Sequence, residues 1–180
     1  MENLNTYKKY YDLENYLFSE VSSNFKNNHF LTDEEFFAII VWKSNRSKTK
    51  VLKGMKVVGK SIKEITSDIY RENNRERKVA ILTKINGVGI PIASAILSVC
   101  YPNDFTISDY RVVSALNRRG NTENLANPSS SIPSYSKYLD LCIEVAKREN
   151  VSLRDLDRCL WGYDFYEGKS GLKELVSVYK

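Results

Sequence analysis

Apolar residues recur three and four positions apart along nearly the whole chain, and strict alternation lasts nowhere long enough for a strand, so the pattern predicts an all-α protein. A first helix is expected over residues 4–22, with Tyr10, Leu13, Leu17 and Val21 on one face, followed by a polar break at residues 24–28. Thr32-Asp33-Glu34-Glu35 and Ser61-Ile62-Lys63-Glu64 read as capping boxes, in which the hydroxyl and the Glu carboxylate satisfy amides that a helix start leaves unpaired. They predict one helix over residues 33–43 and another carrying Ile62, Ile65 and Ile69. A helix over residues 74–85, the break Asn86-Gly87-Val88-Gly89 and a helix opening at Pro91, with Ala93, Ile96, Leu97 and Cys100 inward, make a helical hairpin. Ser108-Asp109 can cap a helix that runs to Arg118. A loop rich in Ser, Asn and Pro over residues 120–134 is expected to be a mobile surface segment, and helices resume over residues 135–148, 153–163 and 172–179.

The 180 residues suit one structural unit with a real core, and 42 % hydrophobic with 27 % charged residues excludes general disorder. No apolar run approaches the roughly 18 to 20 residues of a membrane span, and the polar start has no signal-peptide segment, so a cytoplasmic chain with no membrane partner is expected. Cys100, Cys142 and Cys159 lack metal-ligand spacing and sit at apolar helical positions, which predicts buried reduced thiols, with no metal and no cofactor. A net charge of +5 points to an anionic partner.

Three stretches carry candidate chemistry. In the Asn86-Gly87-Val88-Gly89 turn, closely spaced glycines let backbone amides face outward at a helix N-terminus, which suits a phosphate oxygen; an ordinary helix connection fits the same residues. Residues 43–63 hold Lys43, Arg46, Lys48, Lys50, Lys53, Lys56, Lys60 and Lys63 and no acid, so a phosphodiester backbone would relieve their repulsion, and a solvated basic face is the plainer alternative. Asp109 follows a proline-broken loop at a helix start, where a carboxylate accepts amide hydrogen bonds and stays ionised; a simple N-cap explains it equally well.

Taken together, LTKINGVGIPIASAIL and FTISDYRVVSAL, within residues 82–116, resemble the helix-hairpin-helix DNA glycosylase superfamily, which includes endonuclease III, adenine glycosylase and the alkyladenine glycosylases. FFAIIVWKSNRS upstream and LDRCLWGYDFY downstream look like that superfamily's early helix with its loop and its closing helix. The resemblance implies a two-lobed helical fold: a central lobe over residues 31–103 containing the hairpin, and a second lobe from residues 1–30 plus 104–180, with substrate in the cleft between them. It implies that Asp109, 18 residues after Pro91, matches the catalytic Asp. Such an enzyme extrudes a nucleotide from duplex DNA and stabilises the positive charge that develops on the sugar as the base departs. Asn86, Gly87, Val88 and Gly89 would grip a phosphate, and Lys43, Arg46, Lys48, Lys50 and Arg111 would hold flanking DNA.

The chain also departs from the superfamily pattern. Pro91 stands where strand-cutting members carry their Schiff-base Lys, so cleavage through that amine is not expected. Three scattered cysteines cannot ligate an iron–sulfur cluster, and Asn86 replaces the usual proline before the hairpin glycines. Trp42, Tyr110 and Trp161 are candidates to stack on the extruded base, each with burial in the core as its alternative. Asp155, Asp157 and Arg158 read as ion pairs within one helix, with a position facing the cleft as the alternative. The expectation is therefore a monomeric, monofunctional glycosylase acting on a damaged or modified base, or else a non-catalytic hairpin protein that binds DNA; a helical interaction protein with no nucleic-acid role would leave the Lys43 to Lys63 charges without a purpose.

Overall fold

A computed structural model describes residues 4–120 and 125–179, and every element of these residues is helical. A 3-10 segment Leu4–Tyr10 leads to α1 (Leu13–Tyr16), a π-turn Leu17–Val21 and α2 (Ser22–Asn28), which run on from one another. There follow α3 (Asp33–Ser44), a 3-10 turn Asn45–Ser47, α4 (Lys48–Val58), α5 (Ile62–Arg71), α6 (Arg75–Thr83) and α7 (Ile90–Cys100). The chain ends with α8 (Tyr110–Arg118), α9 (Ile132–Glu149), α10 (Leu153–Glu167) and α11 (Leu172–Tyr179).

The local signals explain most boundaries. Both capping boxes form in full, Thr32 with Glu35 at α3 and Ser61 with Glu64 at α5. Asn74, Ser131 and Ser152 cap α6, α9 and α10 through their side chains. Apart from Pro91, α7 is buried along its whole length, which its sequence IPIASAILSVC predicts, because a helix apolar on all sides must lie inside the bundle. It packs against α2, α3 and α6; α8 packs against α10, and α9 bridges α6 and α10. Leu17, Phe25, Phe36, Ile40, Leu82 and Ile96 fill the core around it, each buried almost completely.

Four expectations need correction. The first helix breaks at Tyr11 and Asp12, where the Asp12 carboxylate caps α1, and it then continues through the supposed polar break to end at His29 in a left-handed conformation. Phe25, fully buried, holds that segment to the core. Residues 48–58, read only as a basic stretch, form α4, because Val51, Met55 and Val58 make a short inward stripe. Cys159 is exposed, while Cys100 and Cys142 are buried; all three are free thiols. Of the loop over residues 120–134, residues 121–124 lie outside the described part, and α9 already starts at Ile132.

Candidate functional site

Asp109 is the N-cap of α8: its Oδ1 accepts the Arg111 amide at 3.0 Å. Its Oδ2 accepts from the Lys43 ammonium at 2.7 Å, across 66 residues of sequence. The two side chains are only 16 % (Lys43) and 19 % (Asp109) exposed, so this pair is largely removed from water. The carboxylate thus caps a helix with one oxygen and faces a neighbouring cation with the other. Lys43, expected on the DNA-facing surface, is instead drawn inward.

The loop carrying Asp109 is held from two sides. The Ser108 amide donates to Ser94 Oγ of α7 at 2.9 Å, tying the loop to the second helix of the hairpin. From α9, the Tyr135 hydroxyl donates to the Thr106 carbonyl at 2.7 Å and the Tyr138 hydroxyl to the Ile107 carbonyl at 2.8 Å. Burial pushes both phenols well above their ordinary value, so they remain protonated donors.

Asp109 and Lys43 line a cavity of about 410 Å³, large enough for a nucleobase. Trp42 comes from α3 beside Lys43, Glu14 from α1, and Arg154, Asp157, Arg158 and Trp161 from α10. Three acids and three bases therefore face one space and balance formally. Arg154 bonds both Asp157, within α10, and Glu14 at 2.7 Å, and Arg158 reaches Glu14 at 2.8 Å. Burial works against the Glu14 charge, but hydrogen bonds from the two arginines outweigh it and hold its carboxyl below the ordinary value. Asp157 behaves in the opposite way. Burial, assisted by the nearby Asp109 and Glu14 carboxylates, lifts it to about 6 against the opposing pull of Arg154 and Lys43. Asp157 fits both readings its sequence allows, an ion pair within α10 with Arg154 and a position facing the cavity, the second set by the packing of α10 against α8.

The aromatic candidates separate. Trp42 and Trp161 line the cavity, Trp42 edge-on to Phe18 with the Arg154 guanidinium 5.4 Å from its ring centre. Trp161 is 43 % exposed, stacked on Phe165 at 5.5 Å. Tyr110 lies outside the cavity and is 72 % exposed, with Arg111 over its ring. Arg111 is itself paired with the buried Asp164 at 3.2 Å and lies 5.3 Å from the Trp161 ring centre, so its charge is partly committed within the protein.

The chain matches no family model, no curated protein and no solved structure.

The hairpin turn and the basic helix form one surface. Gly87 adopts φ +96°, and a side chain there would meet the α4 backbone, with Val51 N at 2.8 Å from the added carbon. From the other side, a Cβ on Gly54 of α4 would lie 2.1 Å from the Asn86 carbonyl oxygen. The two backbones touch because neither glycine carries a side chain. The Val88 amide is used by the Ile85 carbonyl at 2.9 Å, and no side chain caps the start of α7 at Gly89. Asn86 and Gly89 are exposed, as are Arg46, Lys48, Lys50, Lys53 and Lys56. Lys43 ends at the cavity and Lys48 opens α4 five residues later, so a short run of chain links the cavity to the hairpin surface. Among the described residues, no three His, Cys, Asp or Glu side chains are grouped to hold a metal ion.

Proposed function

We propose that this protein is a monofunctional DNA base-excision enzyme that hydrolyses the N-glycosidic bond of a damaged or modified nucleotide extruded into the cavity. The observation that carries the reading is Asp109: a carboxylate fixed by a helix amide and an ammonium, in a cavity bounded by two tryptophans. As the base leaves, C1′ of the sugar becomes positive. A fixed anion beside it lowers that barrier without having to reorient, and it directs water to the same carbon. Trp42 and Trp161 supply flat faces for the base, and the exposed lysines of α4 with the hairpin turn supply the phosphate grip. The product is an abasic site in an intact strand.

The test is to incubate purified protein with duplexes carrying single modified bases and to look for alkali-labile sites. Asp109→Asn is expected to lose excision and keep DNA affinity. Intact strands across a broad panel, from folded protein, would overturn the reading. A second reading, a non-catalytic DNA-binding protein, draws on the packing of α4 against the hairpin, which does not involve the cavity. It expects salt-sensitive binding and no chemistry for Asp109→Asn to remove.

A further inference from the structure

We infer that Tyr110, Trp161 and Phe165, gathered around the Arg111 guanidinium beside the cavity, form a stacking platform for unpaired bases, so that the DNA this protein acts on is single-stranded or melted around the target nucleotide. This rests on the excision reading above for what happens inside the cavity, and it adds the form of DNA that reaches it.

Trp161 and Phe165 stand four residues apart on α10, so one lies above the other, and their rings stack at 5.5 Å with 9° between their planes. The core does not claim them. Leu153, Leu156 and Leu160 carry the buried side of that helix, and the two aromatic rings are exposed. The packing of α8 against α10 brings Tyr110 and Arg111 to them. The Arg111 guanidinium lies 5.3 Å from the Tyr110 ring centre, 5.3 Å from that of Trp161 and 5.9 Å from that of Phe165, so three rings surround one cation. Tyr110, outside the cavity, is the most open of the three.

Charge and shape select the occupant. Arg111 and Arg118 share one carboxylate, that of Asp164, at 3.2 and 3.3 Å, and Arg119 follows with its guanidinium over the Tyr163 ring. The arginines outnumber the acid that answers them, so the face attracts an anion and repels a second copy of itself. Flat rings beside a planar guanidinium hold other flat rings face to face, and bases on a phosphate strand supply both the rings and the negative charge. A duplex turns only base edges toward a protein, whereas unpaired bases offer their faces. The platform is also continuous with the cavity: Trp161 belongs to both, and Tyr110 directly follows Asp109. The neighbours of a nucleotide seated beside Asp109 would pass these rings.

The experiment presents one oligonucleotide as a single strand, as a bubble unpaired at its centre and as a full duplex. Affinity is measured by anisotropy on unmodified DNA, and single-turnover excision on the same three forms carrying uracil, hypoxanthine or 1,N6-ethenoadenine. Wild type is expected to bind the unpaired forms more tightly and to excise from them faster. Tyr110→Ala and Phe165→Ala should each weaken binding of the unpaired forms by about 5- to 150-fold, the usual worth of one stacked base, and leave duplex affinity within a few-fold. Tyr110→Trp keeps a flat ring and should retain the preference; Tyr110→Leu keeps apolar area without one and should lose it. Equal affinity for paired and unpaired DNA, or an undiminished preference in Tyr110→Leu, overturns the proposal. So does DNA-free protein that sediments as a dimer and becomes monomeric on Tyr110→Ala, because a second copy would then cover the rings. A preference for unpaired DNA that these variants abolish, with no excision from any form, overturns the excision reading and leaves the platform standing.

Discussion

The cavity and the outer face of α4 both concentrate charge, and they handle it in opposite ways. On α4, Lys48, Lys50, Lys53 and Lys56 stand exposed with no acid in their run of sequence, so their field extends into solvent and is screened by salt. In the cavity, three acids and three bases line one space and are paired with particular partners, the Lys43–Asp109 and Arg154–Asp157 pairs largely out of water and Arg158 at the exposed margin. Lys43 opens the same acid-free run as the α4 lysines, yet the end of α3 delivers it to Asp109. In the proposed excision, the first arrangement would attract a polyanion from a distance and the second would set one charge against one reacting atom. Affinity and chemistry should therefore respond to different substitutions.

The sharpest way to break that division is Asp109→Asn. Excision should fall by about 10² to 10³-fold, the usual loss when one fixed electrostatic partner of a transition state is removed, while duplex affinity measured by anisotropy stays within a few-fold. A parallel loss of affinity would mean the two regions are not separable.

Stability against pH sharpens the same comparison, because only the enclosed charges should show it. Asp157 binds its proton more tightly in the folded protein, at about 6 against an ordinary 3.8. Its contribution is fully favourable below pH 4, declines as pH rises to 6, and is absent above that. The folded state thereby loses up to about 3 kcal/mol across this window. Denaturant unfolding of wild type and Asp157→Asn from pH 4 to pH 7.5 should show the gap between them moving in favour of the variant by this order.

Glycine replacements test whether α4 and the hairpin are one surface. Gly54→Ala forces a carbon into the Asn86 carbonyl and should cost about 1 to 3 kcal/mol. Gly89→Ala meets only the Pro91 ring, at 3.7 Å, and its backbone needs no positive φ, so stability should be nearly unchanged while DNA affinity drops as the added methyl obstructs the amides. Smallest is the effect of replacing Lys48, Lys50 and Lys53 by Ala. Each should reduce the slope of log affinity against log salt by roughly 0.9 if it neutralises one phosphate, with no change in the single-turnover rate at saturating protein.

What was legible in the sequence was local. The capping boxes at Thr32 and Ser61, the hairpin break at Gly87 and the Asp109 cap are each decided by residues within one turn of each other. The Lys43–Asp109 pair joins side chains 66 residues apart, and no spacing rule reports it. α4 was obscured because Val51, Met55 and Val58 make a sparse stripe among lysines, and its packing depends on a glycine that carries no pattern. Asp157 shows the same limit. Its contact with Arg154, three residues earlier, is readable; its shared cavity with Asp109 arises only when α10 meets the loop before α8.

Tyr135 and Tyr138 give that loop a particular character. Their hydroxyls, sealed in the interior, clasp two successive carbonyls just ahead of Ser108 and Asp109. A carboxylate mounted this way has its orientation settled when the chain folds, so under the proposed reaction a nucleotide entering the cavity would meet a charge already aimed. Replacing both tyrosines by Phe would keep the rings and release the clasp, converting a stationary electrode into one that must find its position on every turnover.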